Sequence, residues 1–136
     1  MLKITPESEA GKTLMSFGVT ADELEAATFG KLDWQSGAAV TLALPFGGCL
    51  ILAKSKYLKT DEKGELPVTY SLNLLRHELC HVNQVKRWGF FGYWRRQLWA
   101  RVQTRSLLAR ESDAERPCYE AQREAQEALR KTHPPA

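Results

Sequence analysis

The fold of this chain is decided by the stretch Leu74-Leu75-Arg76-His77-Glu78-Leu79-Cys80-His81-Val82. On an α-helix, residues four apart lie about 40° apart around the axis and roughly 6 Å along it, so His77 and His81 project from one face. Glu78 follows the first histidine, where it can act as a general base on water instead of binding the metal. This HExxH pattern, present as HELCH, predicts a catalytic zinc site with one ion per chain.

The length and composition indicate one globular domain. The 136 residues can bury a modest core, and the 43% hydrophobic and 26% charged contents are typical of soluble proteins. The net charge of +3 is too small to indicate a polyanion partner by itself. The sequence has no signal-peptide pattern and no apolar run long enough for a transmembrane segment, so we predict a cytoplasmic protein.

The cysteines are three in number and form no CxxC pair. This pattern argues against a disulfide framework and against a cysteine-based structural zinc site. We therefore predict reduced thiols at Cys49, Cys80 and Cys118. Within the HELCH motif, Cys80 is interpreted as a small buried spacer and not as a metal ligand.

The amino-terminal segment, residues 1–30, is predicted to be helical. Thr5 is the expected N-cap of a first helix. Thr20 and Glu23 have the spacing of a capping box that begins a second helix, and Gly30 is its expected end.

A β-hairpin is predicted next along the chain. Residues 38–44 and 49–54 are rich in β-branched and aliphatic side chains, and Pro45-Phe46-Gly47-Gly48 forms the turn between them. One strand can be an exposed edge that pairs with an extended peptide substrate. The alternative is a hairpin that only completes the core.

The HELCH helix is expected to begin near residues 69–71 and to end at Gly89. An apolar stripe with helical spacing is predicted to pack in the core. It consists of Leu72, Leu75, Leu79 and Val82.

The region after the motif is aromatic and basic. Residues 88–94 are interpreted as a turn whose rings pack mainly on the core, and a helix follows from about Tyr93 to Arg110. Between Leu79 and Arg110 there are seven Lys or Arg residues and no acid. Such a run suggests contact with nucleic acid or an anionic membrane, although we favour pairing of the arginines with acids of the last helix.

A third zinc ligand is expected from a downstream acid. A catalytic zinc usually has three protein ligands, and the remaining histidine, His133, lies in a predicted flexible tail, residues 132–136. The last helix is expected from Asp113 to about Lys131. We select Glu115, because a chain reversal before this helix can return it to the metal.

The region Glu115-Arg116-Pro117-Cys118-Tyr119, together with HELCH, resembles the gluzincin-type HExxH zinc metallopeptidases, including their minimal single-domain members. In that family a second helix bears a Glu-x-x-Ala-Asp or Glu-x-x-Ala-Tyr pattern, and its glutamate is the third ligand. Glu115 and Tyr119 match this pattern, whereas Cys118 replaces the alanine. Pro117 departs from it, because proline fits only the first helical turn, and this leaves Glu111 and Glu120 as alternative ligands.

The resemblance implies hydrolysis of a peptide or protein substrate. Glu78 would take a proton from water and later give it to the leaving amine. Tyr119 or Tyr93 would stabilise the oxyanion. Tyr119 or Asn83 could instead orient a histidine ligand.

The sequence therefore predicts a single α+β, zincin-like domain over residues 1–136, with a small hairpin or sheet on the HELCH helix and a carboxy-terminal ligand helix. The predicted function is a zinc metallopeptidase, possible also in a latent form whose cleft is covered by residues 1–30. The alternative is a zinc-stabilised binding module whose basic aromatic helix contacts nucleic acid or a protein.

Overall fold

The computed structural model describes residues 1–34, 37–104 and 114–135. In this part of the chain, four helices and a three-stranded sheet confirm the predicted α+β class. The elements are α1 (Glu9–Ser16), α2 (Ala21–Ala26), β1 (Ala27–Lys31), β2 (Ala39–Ala43), β3 (Cys49–Ala53), a short 3-10 helix (Ser55–Tyr57), α3 (Leu72–Thr104) and α4 (Arg116–Thr132).

The sheet has the strand order β1-β3-β2. Strands β2 and β3 form the predicted antiparallel hairpin, in which Ala43 pairs with Cys49 and Ala39 with Ala53. Strand β1 pairs with β3 in the parallel direction. Strand β2 is therefore an edge of the sheet.

Strand β1 is a feature that the sequence interpretation missed. The predicted second helix does not reach Gly30, because the backbone becomes extended at Ala27 (φ −93°, ψ 133°). Phe29 of β1 is fully buried and exchanges backbone hydrogen bonds of 2.8 Å with Leu2. Pairing with β3 and with Leu2 satisfies the backbone groups of this segment, and this tertiary pairing overrides the local preference for helix. The description of residues 1–30 as helical was wrong at this point.

The starts of the first two helices differ in how well they were predicted. The N-cap of α1 is Ser8, not Thr5, because the Ser8 hydroxyl accepts a 3.0 Å hydrogen bond from the Gly11 amide. The Thr5 carbonyl instead accepts hydrogen bonds from the amide and the hydroxyl of Ser8 and so closes the turn before the helix. The capping box of Thr20 and Glu23 at α2 is confirmed.

The apolar stripe of α3 lies in the core as predicted. Its four residues are at most 2% exposed, and they pack in one cluster with buried side chains from α1, α2, β1 and β3. This burial provides most of the driving force that fixes α3 against the sheet.

Gly89 divides α3 into two helical segments, so the predicted end of the HELCH helix at Gly89 is confirmed. Gly89 has φ 75° and ψ 173°, a conformation that side-chain-bearing residues rarely adopt, and helical residues resume at once. The predicted turn over 88–94 is therefore wrong. Tyr93 is 2% exposed, as expected for core packing, whereas Phe91 is 83% exposed.

Helices α3 and α4 are joined by a disulfide between Cys80 and Cys118, whose Cα atoms are 5.3 Å apart. The prediction of reduced thiols was wrong for this pair. The two cysteines are 38 residues apart, and only the packing of α4 on α3 brings them together. Cys49 is a free, buried thiol. The Asn73 side chain adds a second link, because its carbonyl accepts a 2.8 Å hydrogen bond from Gln122.

The membrane-spanning potential of the described helices is low. Among the residues that the structure describes, none of the helices combines the length and apolarity that crossing a bilayer requires.

Candidate metal centre

The three predicted metal ligands converge. His77 and His81 project from the same face of α3, and Glu115 lies immediately before α4. The Nε2 atoms of both histidines lie 3.3 Å from Oε2 of Glu115. All three ligand atoms lie within 4.8 Å of one another.

These three side chains could hold a metal ion, and the two distances from Glu115 suit tetrahedral coordination. For zinc–ligand bonds of about 2.0–2.1 Å, tetrahedral geometry places neighbouring ligand atoms about 3.3–3.4 Å apart, close to the two distances from Glu115. Two imidazoles and one carboxylate are also a common donor set for catalytic zinc, which leaves a fourth position free. His77 and His81 are 7% and 4% exposed, so the site is shielded on the protein side.

The two histidines lower the pKa of the Glu115 carboxyl group. Burial alone would raise its pKa, but hydrogen bonds from His77 and His81, together with their charges, lower the pKa to about 2. Glu115 is therefore ionised at neutral pH. An ionised carboxylate facing two imidazole nitrogens is ready to bind a cation.

Gln84 orients His81 from the side opposite the ligand atom. Its Oε1 lies 2.9 Å from Nδ1 of His81, and its Nε2 donates a 2.6 Å hydrogen bond to the carbonyl of Ala114. Burial opposes protonation of His81, but Glu115, Glu78 and Gln84 outweigh it and raise the pKa of His81. Gln84 thus connects one metal ligand to the residue that precedes another.

The sequence interpretation assigned this orienting role to Asn83 or Tyr119. Asn83 is half-buried, and its side chain makes no hydrogen bond to the described residues, whereas Gln84 is 4% exposed. The available signal was the spacing, because a residue three positions after His81 lies on the same face of the helix.

His77 has no comparable partner among the described residues. Its Nδ1 atom is buried and makes no hydrogen bond there. The ring of Tyr119 packs edge-on against the His77 ring with the centroids 4.4 Å apart. This contact can restrict rotation of His77 by packing.

The predicted general base, Glu78, is held by strand β2. The hydroxyl of Thr41 donates a 2.6 Å hydrogen bond to Oε2 of Glu78 and also lies 3.2 Å from its backbone carbonyl. Thr41 and Glu78 are 3% and 7% exposed. The carboxylate therefore has a fixed orientation beside the first metal ligand. The sequence interpretation did not identify Thr41, because the two residues are 37 positions apart.

Tyr93 closes the other side of the site. Burial, with the nearby negative charges of Glu78 and Glu115, raises its pKa well above the usual range, so its hydroxyl keeps its proton. This hydroxyl lies 3.5 Å from the carbonyl oxygen of Thr41. Tyr93 is thus a proton-bearing group next to the general base.

A cavity of about 530 Å³ opens over these groups. Strand β2 forms one wall, and the lining includes both histidines, Glu78, Glu115 and both tyrosines, Tyr93 and Tyr119. The lining contains no residue of the segment 1–30, so the predicted covering of the cleft by this segment is not observed.

The other candidate ligands lie elsewhere. Glu120 is exposed and does not belong to the group of converging ligand atoms. Glu111 and Asp113 lie outside the described residues. His133 follows α4 on the surface, where its Nδ1 lies 2.9 Å from the Thr132 hydroxyl.

Among the described basic residues after the motif, Lys86 pairs with Asp22 of α2, and three arginines have no ion pair within this part of the chain. Arg87, Arg95 and Arg96 are exposed and have no salt bridge to the described residues, α4 included. The guanidinium of Arg96 lies 4.4 Å from the centre of the Trp88 ring. The favoured pairing with the last helix is thus not observed among the described residues, and for Arg105, Arg110, Glu111 and Asp113, which lie outside them, it stays a prediction.

Comparisons of the chain with protein-family models, with curated proteins and with solved structures find no match. A proposal for the function therefore rests on the geometry of the site, and the resemblance to the gluzincin metallopeptidases stays an expectation.

Proposed function

We propose that this protein is a zinc-dependent metallopeptidase. One observation carries the proposal: the Nε2 atoms of His77 and His81 face a single carboxylate oxygen of Glu115 at 3.3 Å, in a cavity that also contains Glu78. Two imidazoles, one carboxylate and an adjacent second carboxylate are the groups that zinc-assisted hydrolysis requires.

The chemistry divides between the metal and the protein. Zinc, when bound, lowers the pKa of water and polarises a carbonyl group. Glu78 accepts the proton of the attacking water and then delivers it to the leaving amine. The hydrogen bond from Thr41 keeps the Glu78 carboxylate in one orientation, so that it acts on a water molecule in the cavity and not on the metal.

The proposed substrate is an extended polypeptide. Strand β2 is the edge of the sheet and forms a wall of the cavity. Apart from the Thr41 and Ala43 carbonyls, which lie near Tyr93 and Trp94, its outer backbone groups can pair with a peptide strand. A peptide paired in this way would lie across the ligand atoms. The open cavity, which no residue of 1–30 lines, is consistent with access for such a chain.

Two tyrosines that line the cavity are the candidates to stabilise the oxyanion that forms during hydrolysis. Tyr119 and Tyr93 both line the cavity, on opposite sides of the histidine pair. We propose Tyr119 as the principal donor. The choice rests on the packing of its ring against His77. The Tyr93 hydroxyl lies 3.5 Å from the Thr41 carbonyl oxygen, and this contact supports a role in shaping the site.

The first experiment measures metal content by elemental analysis of protein purified without added metal. We expect about one zinc per chain in the wild type and a loss of zinc in His77→Ala and in Glu115→Ala. Glu120→Ala is the matched control, because it removes an exposed acid from α4 and should keep the zinc. Zinc retained in Glu115→Ala would show that Glu115 is not a zinc ligand.

The second experiment measures hydrolysis of a quenched-fluorescence peptide library. Glu78→Gln should bind zinc like the wild type and lose hydrolysis, because an amide cannot accept the proton. Hydrolysis that persists in this variant contradicts the role of Glu78. A wild-type protein that binds zinc and cleaves no peptide would instead support the zinc-stabilised binding module.

A further inference from the structure

The segment of α3 after Gly89 exposes several large apolar side chains. Phe91 is 83% exposed, Leu98 65%, Trp99 60% and Trp94 36%. Isolated apolar residues on a surface are ordinary, but four large ones within nine positions of one helix form a patch. Such a patch is unfavourable in water unless a partner covers it.

The spacing of these residues places them on one side of the helix. Phe91, Trp94 and Leu98 follow the i, i+3, i+7 pattern and share a face, and Trp99 lies beside it. Tyr93, which is buried, and Gln97, which lines the metal cavity, lie on a different side. Phe91, Leu98 and Trp99 therefore form an exposed apolar side, and Trp94 lies at its border, where it also lines the metal cavity and packs against Tyr93.

Positive charges border this apolar side. Arg95 lies between Phe91 and Trp99 around the helix, and Arg96 is next to it; both are exposed and have no salt bridge to the described residues. We call these residues together the aromatic-basic face. It comprises Phe91, Trp94, Arg95, Arg96, Leu98 and Trp99.

The turn between β2 and β3 begins next to this face. The indole nitrogen of Trp94 donates a 3.4 Å hydrogen bond to the carbonyl of Ala43, the last residue of β2. The following turn carries Leu44, 40% exposed, and Phe46, 99% exposed. The turn thus adds apolar surface near the exposed tryptophan.

We propose that the aromatic-basic face docks on the surface of an anionic lipid bilayer. Tryptophan and phenylalanine favour the boundary between headgroups and acyl chains, and arginine side chains reach anionic headgroups from the same depth. The described helices include none that could span a bilayer, so the contact is interfacial. Nucleic acid is a poorer match, because it stacks on aromatic rings but has no apolar region for Leu98.

This inference goes beyond the proposed hydrolysis and does not depend on it. His77 and His81 lie on the part of α3 before Gly89 and Glu115 lies before α4, whereas the aromatic-basic face lies on the part of α3 after Gly89. Because Gln97 of the docking segment lines the metal cavity, docking would bring this cavity to the lipid surface. His77→Ala, which removes a metal ligand, should bind vesicles like the wild type and so separates the two proposals.

The test is co-sedimentation with vesicles of phosphatidylcholine alone and of phosphatidylcholine with about 30% phosphatidylserine. We expect binding to the anionic vesicles that weakens with salt, with a blue shift of tryptophan fluorescence. The double variant Arg95→Gln and Arg96→Gln should reduce the partition coefficient by roughly tenfold or more, from the attraction of each arginine to an anionic surface. The variant Phe91→Ser and Leu98→Ser should reduce it at least as much.

Matched controls remove similar residues outside the face. Trp34→Ser changes an 85% exposed tryptophan, and Arg123→Gln changes an exposed arginine of α4; both should bind like the wild type. Circular dichroism shows whether each variant is folded. The proposal is overturned by absence of binding to anionic vesicles at low salt, by undiminished binding of the folded Phe91 and Leu98 variant, or by binding of an oligonucleotide in place of vesicles.

Discussion

The side chain of Gln84 lies between His81 and the start of the ligand helix. Its Oε1 is 2.9 Å from Nδ1 of His81, and its Nε2 donates to the carbonyl of Ala114, the residue before Glu115. One amide therefore couples the orientation of a ligand on α3 to the backbone position of a ligand next to α4. This coupling gives a direct prediction.

Replacement of Gln84 by alanine should weaken zinc binding by about tenfold to a hundredfold, because His81 loses the partner that orients its ring. The measurement is a competition titration with a fluorescent zinc chelator. Asn83→Ala is the control, since it removes a neighbouring amide that does not contact the histidines, and it should leave the affinity unchanged. Equal affinities for Gln84→Ala and the wild type would contradict the role of Gln84.

Thr41→Val should lower kcat for peptide hydrolysis on the order of tenfold to a hundredfold. A misoriented general base slows the chemical step, whereas it has little effect on substrate binding. KM and zinc content should stay close to the wild-type values. Thr41→Ser keeps the hydroxyl that donates to Glu78 and should restore most of the rate. A serine variant as slow as the valine variant would point to packing in β2 as the cause.

Tyr119→Phe should reduce kcat by about a hundredfold, the usual effect of removing one oxyanion donor. Zinc content should be unchanged, because the ring contact with His77 remains. Tyr93→Phe is the comparison variant and should have the smaller effect. A larger effect of Tyr93→Phe would transfer the donor role to that residue.

The metal-free protein should lose stability in acid through Glu115. Its pKa is lowered from about 4.5 to about 2 by His77 and His81 against the opposing effect of burial. A carboxyl group with a depressed pKa stabilises the fold above its unfolded pKa, so this contribution is present above about pH 4.5 and is lost as the pH falls toward about 2.

The contribution of His81 to stability depends on pH in the opposite direction, because the pKa of His81 is raised in the folded protein. Its contribution to stability is present below its unfolded pKa and decreases as the pH rises through the folded value. Urea unfolding of the metal-free protein from acid to neutral pH should show both trends. Glu115→Gln should remove the first and weaken the second, to which Glu78 and Gln84 also contribute. Glu120→Gln is the control, and an identical pH profile for Glu115→Gln and the wild type would refute the coupling.

Thiol counting tests the disulfide. Unfolded, non-reduced protein should contain one reactive thiol per chain, Cys49, and reduced protein should contain three. In the folded state Cys49 should react slowly, because it is 1% exposed and burial raises its pKa to about 11. Three reactive thiols in unfolded protein without reductant would instead support the prediction from the sequence that all three cysteines are reduced.

The same bond should stabilise the fold and the metal site. A crosslink over 38 residues removes about 4 kcal/mol of unfolded-state entropy in the chain-entropy description. The variant Cys80→Ser with Cys118→Ser should therefore unfold at lower urea concentration and bind zinc more weakly. Cys49→Ala is the control with an intact disulfide. The cytoplasmic location stays a prediction, and disulfides persist mainly in oxidising compartments.

The local patterns of the sequence predicted a large part of this structure. The HELCH spacing placed both histidines on one face, the stripe from Leu72 to Val82 identified the buried side of α3, and the hairpin and the capping box of α2 were confirmed. These features depend on residues within one or two turns or on one short loop. Short-range periodicity and capping chemistry therefore determine them.

The tertiary structure determined the contacts between different secondary-structure elements. The strand β1, the disulfide, the Thr41–Glu78 hydrogen bond and the approach of Glu115 to the histidines each join residues that are more than twenty positions apart. Local preference carries little information about such contacts, because each depends on how elements pack on one shared core. The sequence by itself determined the two imidazoles and their neighbouring carboxylate and limited the third ligand to Glu115, Glu111 or Glu120, whereas packing brought Glu115 to face the two histidines.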